Sequence, residues 1–150
     1  MNTYQVIVVP VDGSILADLA FQKAKDYALK NHAKLIIFNV VDAANVYGIE
    51  YNLDLDPAFE ASKKLVQGYA KDLKNAQVEY ETFSTVGKAK VVILETVKEY
   101  HADAIFMGSS GVNAITRLII GSTTEYIIRH SPVDLVTVKT HLDNRTRPTH

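Results

Sequence analysis

Short apolar runs and segments of helical periodicity follow one another along the chain. Val6–Pro10 and Leu35–Val41 are mostly apolar and rich in β-branched residues, which is typical of strands buried on both faces of a sheet. Between them, apolar residues recur three or four positions apart, which predicts a helix that ends at Asn31. The residues on the apolar side of that helix are Ala17, Ala20, Phe21, Ala24, Tyr27 and Ala28.

The rest of the chain continues this alternation. Asp56-Pro57 has the form of an N-cap followed by a proline at the first helical position, so a helix is predicted from there to about Asn75. Gln77–Phe83 alternates apolar and polar residues, which indicates an edge strand with one solvent-exposed face. Gly87 is predicted to turn the chain into the next helix. The remaining predicted elements are a strand at Ala104–Met107, a helix from Ser122 to about Arg129 and a strand at Val133–Lys139.

This order of elements predicts a single α/β domain with a Rossmann-like fold. Its five strands form an open parallel sheet, with helices on both faces and right-handed crossovers. Two polar, glycine-containing junctions follow predicted strands, one at Asp12–Ser14 and one at Gly108–Gly111. Ligands of such sheets bind beyond the carboxyl ends of the strands, where the strand order reverses. If both junctions contact one ligand, strands one and four are neighbours, and the strand order is 3-2-1-4-5.

Composition narrows the possible function classes. The 16 basic and 17 acidic residues give a net charge of −1, which argues against a nucleic-acid-binding protein. The absence of cysteine excludes disulfides, thiolate metal sites and cysteine nucleophiles, and it fits a reducing compartment. Neither a signal-peptide pattern nor an apolar stretch long enough to span a bilayer occurs. We therefore expect a cytoplasmic protein that binds neither nucleic acid nor membrane.

The segment Gly108–Glu125 carries the strongest candidate chemistry. Its glycines can bring the backbone close to a ligand, and its hydroxyl residues stand where a helix is predicted to begin. Free N–H groups and hydroxyls at a helix start can bind an anion, so the segment is a candidate phosphate site. Two other interpretations stay open. Gly108 and Gly111 can be turn glycines, and Ser122 with Glu125 has the spacing of a capping box, which needs no ligand.

Asp12 also has two interpretations of equal weight. Either Asp12 or Ser14 caps the first helix, or the Asp12 carboxylate contacts a ribose hydroxyl or an adenine edge. Arg117 is interpreted as a solvent-exposed helix charge in preference to a phosphate ligand.

No catalytic or metal-binding motif is present in the sequence. It lacks the Walker A pattern and a Gly-x-Gly-x-x-Gly after a strand. The histidines do not have the spacing of metal ligands, and His32, His101 and His130 fall near predicted helix C-termini, where positive charge is favourable. No triad surrounds Ser109 or Ser110. We therefore predict no catalytic residue and no protein-held metal.

The spacing Gly108-x2-Gly111-x9-Gly121-Ser122 resembles the nucleotide-binding signature of the universal stress protein (UspA-like) family. The resemblance covers almost the whole chain, through VVPVDGS, LIIFNVVD, ADAIFMGSSG and GSTTEYIIRHSPVDLVTVK. The family domain is assigned to residues 1–140, and residues 141–150 form a polar C-terminal tail. The resemblance implies the same strand order and a homodimer formed by antiparallel pairing of the last strands, here Val133–Lys139.

The resemblance also implies where ATP would bind. Adenine and ribose would lie after strand one and at the end of strand two, and the phosphates would lie along the glycine segment. A divalent cation such as Mg or Mn would bind only through the phosphates. The nucleoside-side residues are Pro10, Val11, Asp12 and Val40, and the phosphate-side residues are Gly108, Gly111, Gly121, Ser122 and Thr123. Met107, Ser110 and Thr124 complete the candidate binding set.

The predicted function is an ATP-binding regulatory dimer in a stress response. Hydrolysis is expected to be slow at most, because no residue is placed to activate a water. The alternative is a dimeric interaction module that binds no nucleotide. Ser110 stands where the family often has Arg or His, which removes a possible phosphate or ribose contact. The preference among ATP, ADP and AMP stays open, as does a lid role for Asp42–Asp56 with its tyrosines Tyr47 and Tyr51.

Overall fold

Strands and helices alternate through the parts of the chain that the computed structural model describes, which are residues 3–45, 56–109 and 120–138. They form a single α/β domain around one five-stranded sheet, as predicted. In chain order the elements are β1 (Val6–Pro10), α1 (Ile15–Asn31), β2 (Lys34–Asp42), a short 3-10 helix (Ala43–Asn45), α2 (Pro57–Leu73), β3 (Tyr80–Gly87), α3 (Ala89–Glu99), β4 (Ala104–Gly108), α4 (Ser122–His130) and β5 (Asp134–Val138).

The five strands form one parallel sheet in the order β3-β2-β1-β4-β5. The prediction that strands one and four are neighbours is confirmed, since Ile7 pairs with Ala104 and Val8 with Ile105. On the other side of β1, Pro10 pairs with Phe38 of β2. Because all pairs are parallel, the carboxyl ends of the strands lie along one edge of the sheet.

The core has one apolar layer on each face of the sheet. On one face, Phe21 of α1 and Tyr69 of α2 pack with Ile37 and Phe106. On the other face, residues of α3 and α4 pack with the alternate residues of the same strands. The second layer includes Val8, Ile36, Phe38, Ile93, Ile105 and Ile127. The central strands are therefore buried on both faces, which explains why their sequences are nearly continuous apolar runs.

Helix ends follow the local sequence signals in most places. Ser14 caps α1, with its Oγ accepting a hydrogen bond from Ala17 N–H at 3.1 Å. The Asp56 carboxylate caps α2 in front of Pro57, as predicted. His32 ends α1 with a left-handed φ of 58°. The predicted positions of His101 and His130 are also confirmed, since His101 follows α3 and His130 is the last residue of α4.

One boundary prediction is wrong. The third strand spans Tyr80–Gly87 instead of Gln77–Phe83, because it pairs with β2 along the whole length from Leu35 to Asp42. The predicted helix start at Ser122 is confirmed, but the capping box of Ser122 and Glu125, one of the interpretations left open, does not form. Gly121 is the N-cap of α4, without a side-chain cap, and the Glu125 carboxylate accepts a hydrogen bond from Arg129 at 3.0 Å.

Some predictions concern residues that the structure does not describe. The polar tail at 141–150 and the tyrosines Tyr47 and Tyr51 lie outside the described residues. Among the residues that are described, no helix combines the length and the apolar character needed to cross a membrane.

An exposed ion cluster joins the amino ends of β2 and β3. Lys34 Nζ pairs with the Glu81 carboxylate, lies 3.8 Å from Glu79 Oε1 and lies 5.8 Å from the centre of the Tyr100 ring. The hydrogen bond between the two charged groups raises the pKa of Lys34 and lowers the pKa of Glu81. A lowered carboxyl pKa stabilises the fold above the ordinary glutamate value, and this contribution is lost as pH falls through the folded-state pKa.

We therefore predict that Glu81→Gln lowers the Tm slightly at neutral pH and that the difference from wild type shrinks as pH falls below 4.5. The effect is small because water and salt screen this exposed pair. Thermal unfolding followed by circular dichroism at several pH values measures it. Glu79→Gln is the matched control and should change the Tm less, because Glu79 is 76% exposed and farther from Lys34. A Glu81→Gln difference that does not depend on pH would contradict this assignment.

Candidate functional site

The ends of β1 and β4 meet the starts of α1 and α4 at the carboxyl edge of the sheet. β1 and β4 are hydrogen-bonded neighbours, and α1 begins five residues after Pro10, at Ile15. The start of α4 is tied to the end of β4 by the hydrogen bond from Gly121 N–H to Ser109 O, at 3.0 Å. The two polar junctions that the sequence singled out therefore lie at neighbouring strand ends.

Gly108 is required by packing against α1. A Cβ built on Gly108 would lie 2.8 Å from Leu16 Cβ, 3.1 Å from the Leu16 carbonyl carbon and 3.2 Å from Ala17 N. Two of these three atoms belong to the backbone of α1, which cannot rotate away. The glycine thus lets the end of β4 approach the first turn of α1, a structural reason that does not depend on a ligand.

A hydrogen bond from Thr124 joins the first turn of α4 to the end of β4. Its hydroxyl donates a hydrogen bond to Gly108 O at 3.0 Å, and the residue is only 2% exposed. Ser122 is exposed and Thr123 is half-buried, so these two hydroxyl residues lie nearer to solvent. The hydroxyl of Thr124 therefore holds α4 in place from inside the protein.

The start of α4 lacks the side-chain cap that α1 and α2 have. Its N-cap is Gly121, with φ of −65° and ψ of 155°, and no side chain of the described residues accepts a hydrogen bond there as a cap. The first N–H groups of a helix have no partner within the helix and carry partial positive charge. This end of α4 can therefore accept an anion.

The loop after β1 is held by β2 and by its own side chains. Val11 N–H donates to Phe38 O at 2.9 Å, and Val11 O accepts from Asn39 Nδ2 at 2.7 Å. Asp12 is exposed, and its Oδ1 accepts a hydrogen bond from Ser14 N–H at 3.0 Å. Ser14 is thus the cap of α1, and the Asp12 carboxylate stabilises the turn in front of the helix.

The other predicted site residues that the structure describes lie at or near the same edge. Pro10 is the last residue of β1 and is half-buried. Val40 and Met107 both pack on the face covered by α3 and α4, where Met107 is 7% exposed. Ser110, Gly111 and Arg117 lie outside the described residues. No group of three potential metal-ligating side chains occurs in the described ranges.

Asn39 is the site residue that sequence reasoning missed. It is a half-buried residue in the apolar run of β2, and its amide reaches across to Val11, the residue before Asp12. The signal was present in the sequence, because a polar residue interrupts the run LIIFNVV of a strand buried on both faces. A half-buried amide in such a strand needs a hydrogen-bond partner, and here the partner belongs to the site.

The chain is similar to universal stress proteins in sequence. The sequence model of the universal stress protein family matches residues 3–139. A protein of Staphylococcus saprophyticus whose name places it among the universal stress proteins is 39% identical over 147 residues. That alignment covers 93% of this chain and 86% of the relative.

Solved structures show the same likeness. The universal stress protein UspA from Lactobacillus plantarum has 27% sequence identity and a TM-score of 0.68, and the match covers 93% of this chain and 100% of the other. A universal stress protein in complex with cAMP has 24% identity and a TM-score of 0.69, with 92% of this chain and 98% of the other covered. The second likeness is one of fold.

We predict that Gly108→Ala lowers the free energy of unfolding by about 1–3 kcal/mol, because the added methyl group would overpack against the backbone of α1. Gly68→Ala is the matched control. Gly68 lies within α2 and a Cβ there meets nothing within 4 Å, so alanine should stabilise by about 0.5–1 kcal/mol. Urea unfolding of both variants measures these changes. An unchanged stability of Gly108→Ala would contradict the close approach of β4 and α1.

Proposed function

The chain belongs to the universal stress protein family, and we propose that it is an ATP-binding regulatory member that acts in a stress response as a homodimer. One observation carries the proposal. The uncapped start of α4 lies at the end of β4, and β4 is the direct neighbour of β1, which leads into Asp12. A helix start that can accept an anion and a carboxylate are therefore carried by adjacent strand ends, an arrangement that suits a nucleotide.

The nucleoside half of the proposed site follows β1 and β2. Pro10, Val11 and Val40 supply backbone and apolar surface for adenine, with Met107 on the neighbouring strand. The exposed Asp12 carboxylate accepts hydrogen bonds from the ribose hydroxyls. A carboxylate accepts several hydrogen bonds, so its contact with Ser14 N–H is compatible with this role.

The phosphate half follows β4. We propose that the phosphates meet Gly108, Gly121, Ser122 and Thr123, with Ser110 and Gly111 contributing from outside the described residues. Thr124 acts by positioning α4, because its hydroxyl is engaged with Gly108 O. A Mg or Mn ion would be held through the phosphate oxygens.

Adenine nucleotides are supported as a class by the family member solved with cAMP. We propose ATP as the principal ligand, because the signature residues Gly108, Gly121 and Ser122 lie both at the end of β4 and at the start of α4. AMP and ADP would contact the same nucleoside half. The balance of acidic and basic residues gives no support to a nucleic-acid partner, and the lack of cysteine fits a cytoplasmic location.

Hydrolysis of bound ATP should be slow. Phosphoryl transfer to water needs a group that orients or activates the attacking water. Asp12 lies on the β1 side of the site, while the proposed phosphates lie on the β4 side. We therefore propose that Asp12 recognises the nucleoside. Nucleotide occupancy would control the dimer or the choice of partner.

The dimer is proposed to form through β5. This strand is at the edge of the sheet, and Leu135, Val136 and Val138 are half-buried in the single chain. An edge strand presents unpaired N–H and C=O groups that another strand can complete. Antiparallel pairing with β5 of a second copy would extend the sheet and cover these apolar side chains.

We predict that Gly121→Val abolishes ATP binding while the protein stays folded. The backbone of Gly121 lies in a region that any residue adopts, so valine introduces no backbone strain. What valine adds is bulk where the phosphates would approach the start of α4. Titration calorimetry with ATP and Mg, together with analysis of nucleotide released from denatured wild-type protein, measures the effect.

Gly68→Val provides the matched control, since it makes the same substitution within α2, outside the proposed site, where an added Cβ meets nothing within 4 Å, and it should keep the wild-type affinity. Wild-type affinity in Gly121→Val would refute the phosphate placement. Wild-type protein that neither releases nor binds adenine nucleotide would refute the nucleotide proposal, and the interaction-module alternative would then stand.

The dimer proposal predicts a mass of about twice 16.6 kDa in sedimentation equilibrium. It also predicts slow hydrogen exchange at the β5 amides that face away from β4, because a partner strand would bond them. A monomeric mass over a broad concentration range, with fast exchange at those amides, would contradict the proposal.

A further inference from the structure

Two consecutive residues of β2 fix the peptide groups of Val11. Phe38 O accepts a hydrogen bond from Val11 N–H at 2.9 Å, and Asn39 Nδ2 donates one to Val11 O at 2.7 Å. β1 ends at Pro10, so the Val11 carbonyl lies beyond the strand that the ladder pairs. At Val11 the backbone pairing of β1 with β2 has ended, and the Asn39 side chain supplies the hydrogen-bond donor instead.

The position of Asp12 depends on these two hydrogen bonds to Val11. It is followed by Gly13, whose φ of 85° only glycine adopts readily, and glycine gives the turn little stiffness of its own. On the far side of the turn, Ser14 N–H holds Asp12 Oδ1. On the near side, the peptide that joins Val11 to Asp12 contains the carbonyl that Asn39 binds. The orientation of the Asp12 carboxylate is therefore set from both sides, and Asn39 supplies the contact from the sheet.

We propose that Asn39 is a positioning residue for ribose recognition. It holds the Val11–Asp12 peptide so that the Asp12 carboxylate meets the 2′ and 3′ hydroxyls of a bound adenine nucleotide. This inference rests on the proposed nucleotide-binding function and adds a residue that governs discrimination between ribose and deoxyribose. Asn39 itself need not touch the ligand.

The neighbouring strand offers a matched control. Ser84 of β3 is the register partner of Asn39, so both side chains lie on the same face of the sheet. Ser84 Oγ is buried and has no hydrogen-bond partner in the described part of the chain. Replacing Ser84 changes a polar side chain beside Asn39 without removing a contact to the loop after β1.

The experiment measures Kd for ATP and for 2′-deoxy-ATP with wild-type protein, Asn39→Ala, Asn39→Asp and Ser84→Ala. Wild type should prefer ATP by about tenfold, the ratio expected for one hydrogen bond to a carboxylate. Asn39→Ala and the isosteric Asn39→Asp, which cannot donate to Val11 O, should bind both nucleotides with nearly equal Kd. Ser84→Ala should keep the wild-type preference. The two Asn39 variants give the test a second route if one of them folds poorly.

Asp12→Ala completes a double-mutant cycle. It should remove the preference for ATP by itself, and adding Asn39→Ala should cause no further loss of preference, because both act on the same contact. A fully additive loss would show that Asn39 acts elsewhere and would overturn the inference.

Failure of the inference differs from failure of the proposed function. An Asn39→Ala protein with a lower Tm and weaker ATP binding but an unchanged preference for ATP would reduce Asn39 to a structural role and overturn the inference alone. Equal wild-type affinity for ATP and 2′-deoxy-ATP would also overturn it, while nucleotide binding stands. Wild-type protein that binds neither nucleotide would overturn both.

Discussion

The rest of the site depends on the close approach of Gly108 to the first turn of α1. The absence of a side chain lets the end of β4 lie against Leu16 and Ala17, at distances that a Cβ would violate. The carbonyl oxygen of Gly108 also accepts a hydrogen bond from the Thr124 hydroxyl. One glycine therefore brings together the end of a central strand, the start of the helix after β1 and the start of the helix after β4.

The fold was largely predictable because its main signals are local. Doubly buried strands give apolar runs, Asp56-Pro57 marks the start of a helix, and the polar junctions after the first and fourth strands led to the correct strand order. The end of β3 was not predictable in this way. It continues to Gly87 because β2 continues to Asp42, and the length of a ladder is a property of two segments distant in sequence.

The site was less predictable, because side-chain roles there are decided by contacts that no local pattern contains. Ser122 and Glu125 have capping-box spacing, yet Ser122 already lies inside the helix and Glu125 pairs with Arg129. No local sequence pattern around Thr124 predicts that its hydroxyl donates a hydrogen bond to a carbonyl sixteen residues earlier. Asn39 could be noticed as a polar break in an apolar strand, but its partner is 28 residues away.

The difference between the helix starts argues for where an anion would bind. Ser14 and Asp56 cap α1 and α2, because their side-chain oxygens accept hydrogen bonds from N–H groups of the first turn. α3 and α4 lack such a cap, but α3 follows the edge strand β3, which is two positions from β1. α4 follows β4, directly beside β1, with a glycine at its N-cap. Only there, among the described helices, does an uncapped start lie next to the strand that leads into Asp12. This junction is therefore the one that favours the proposed nucleotide, with its hydroxyls toward Asp12 and its phosphates toward α4.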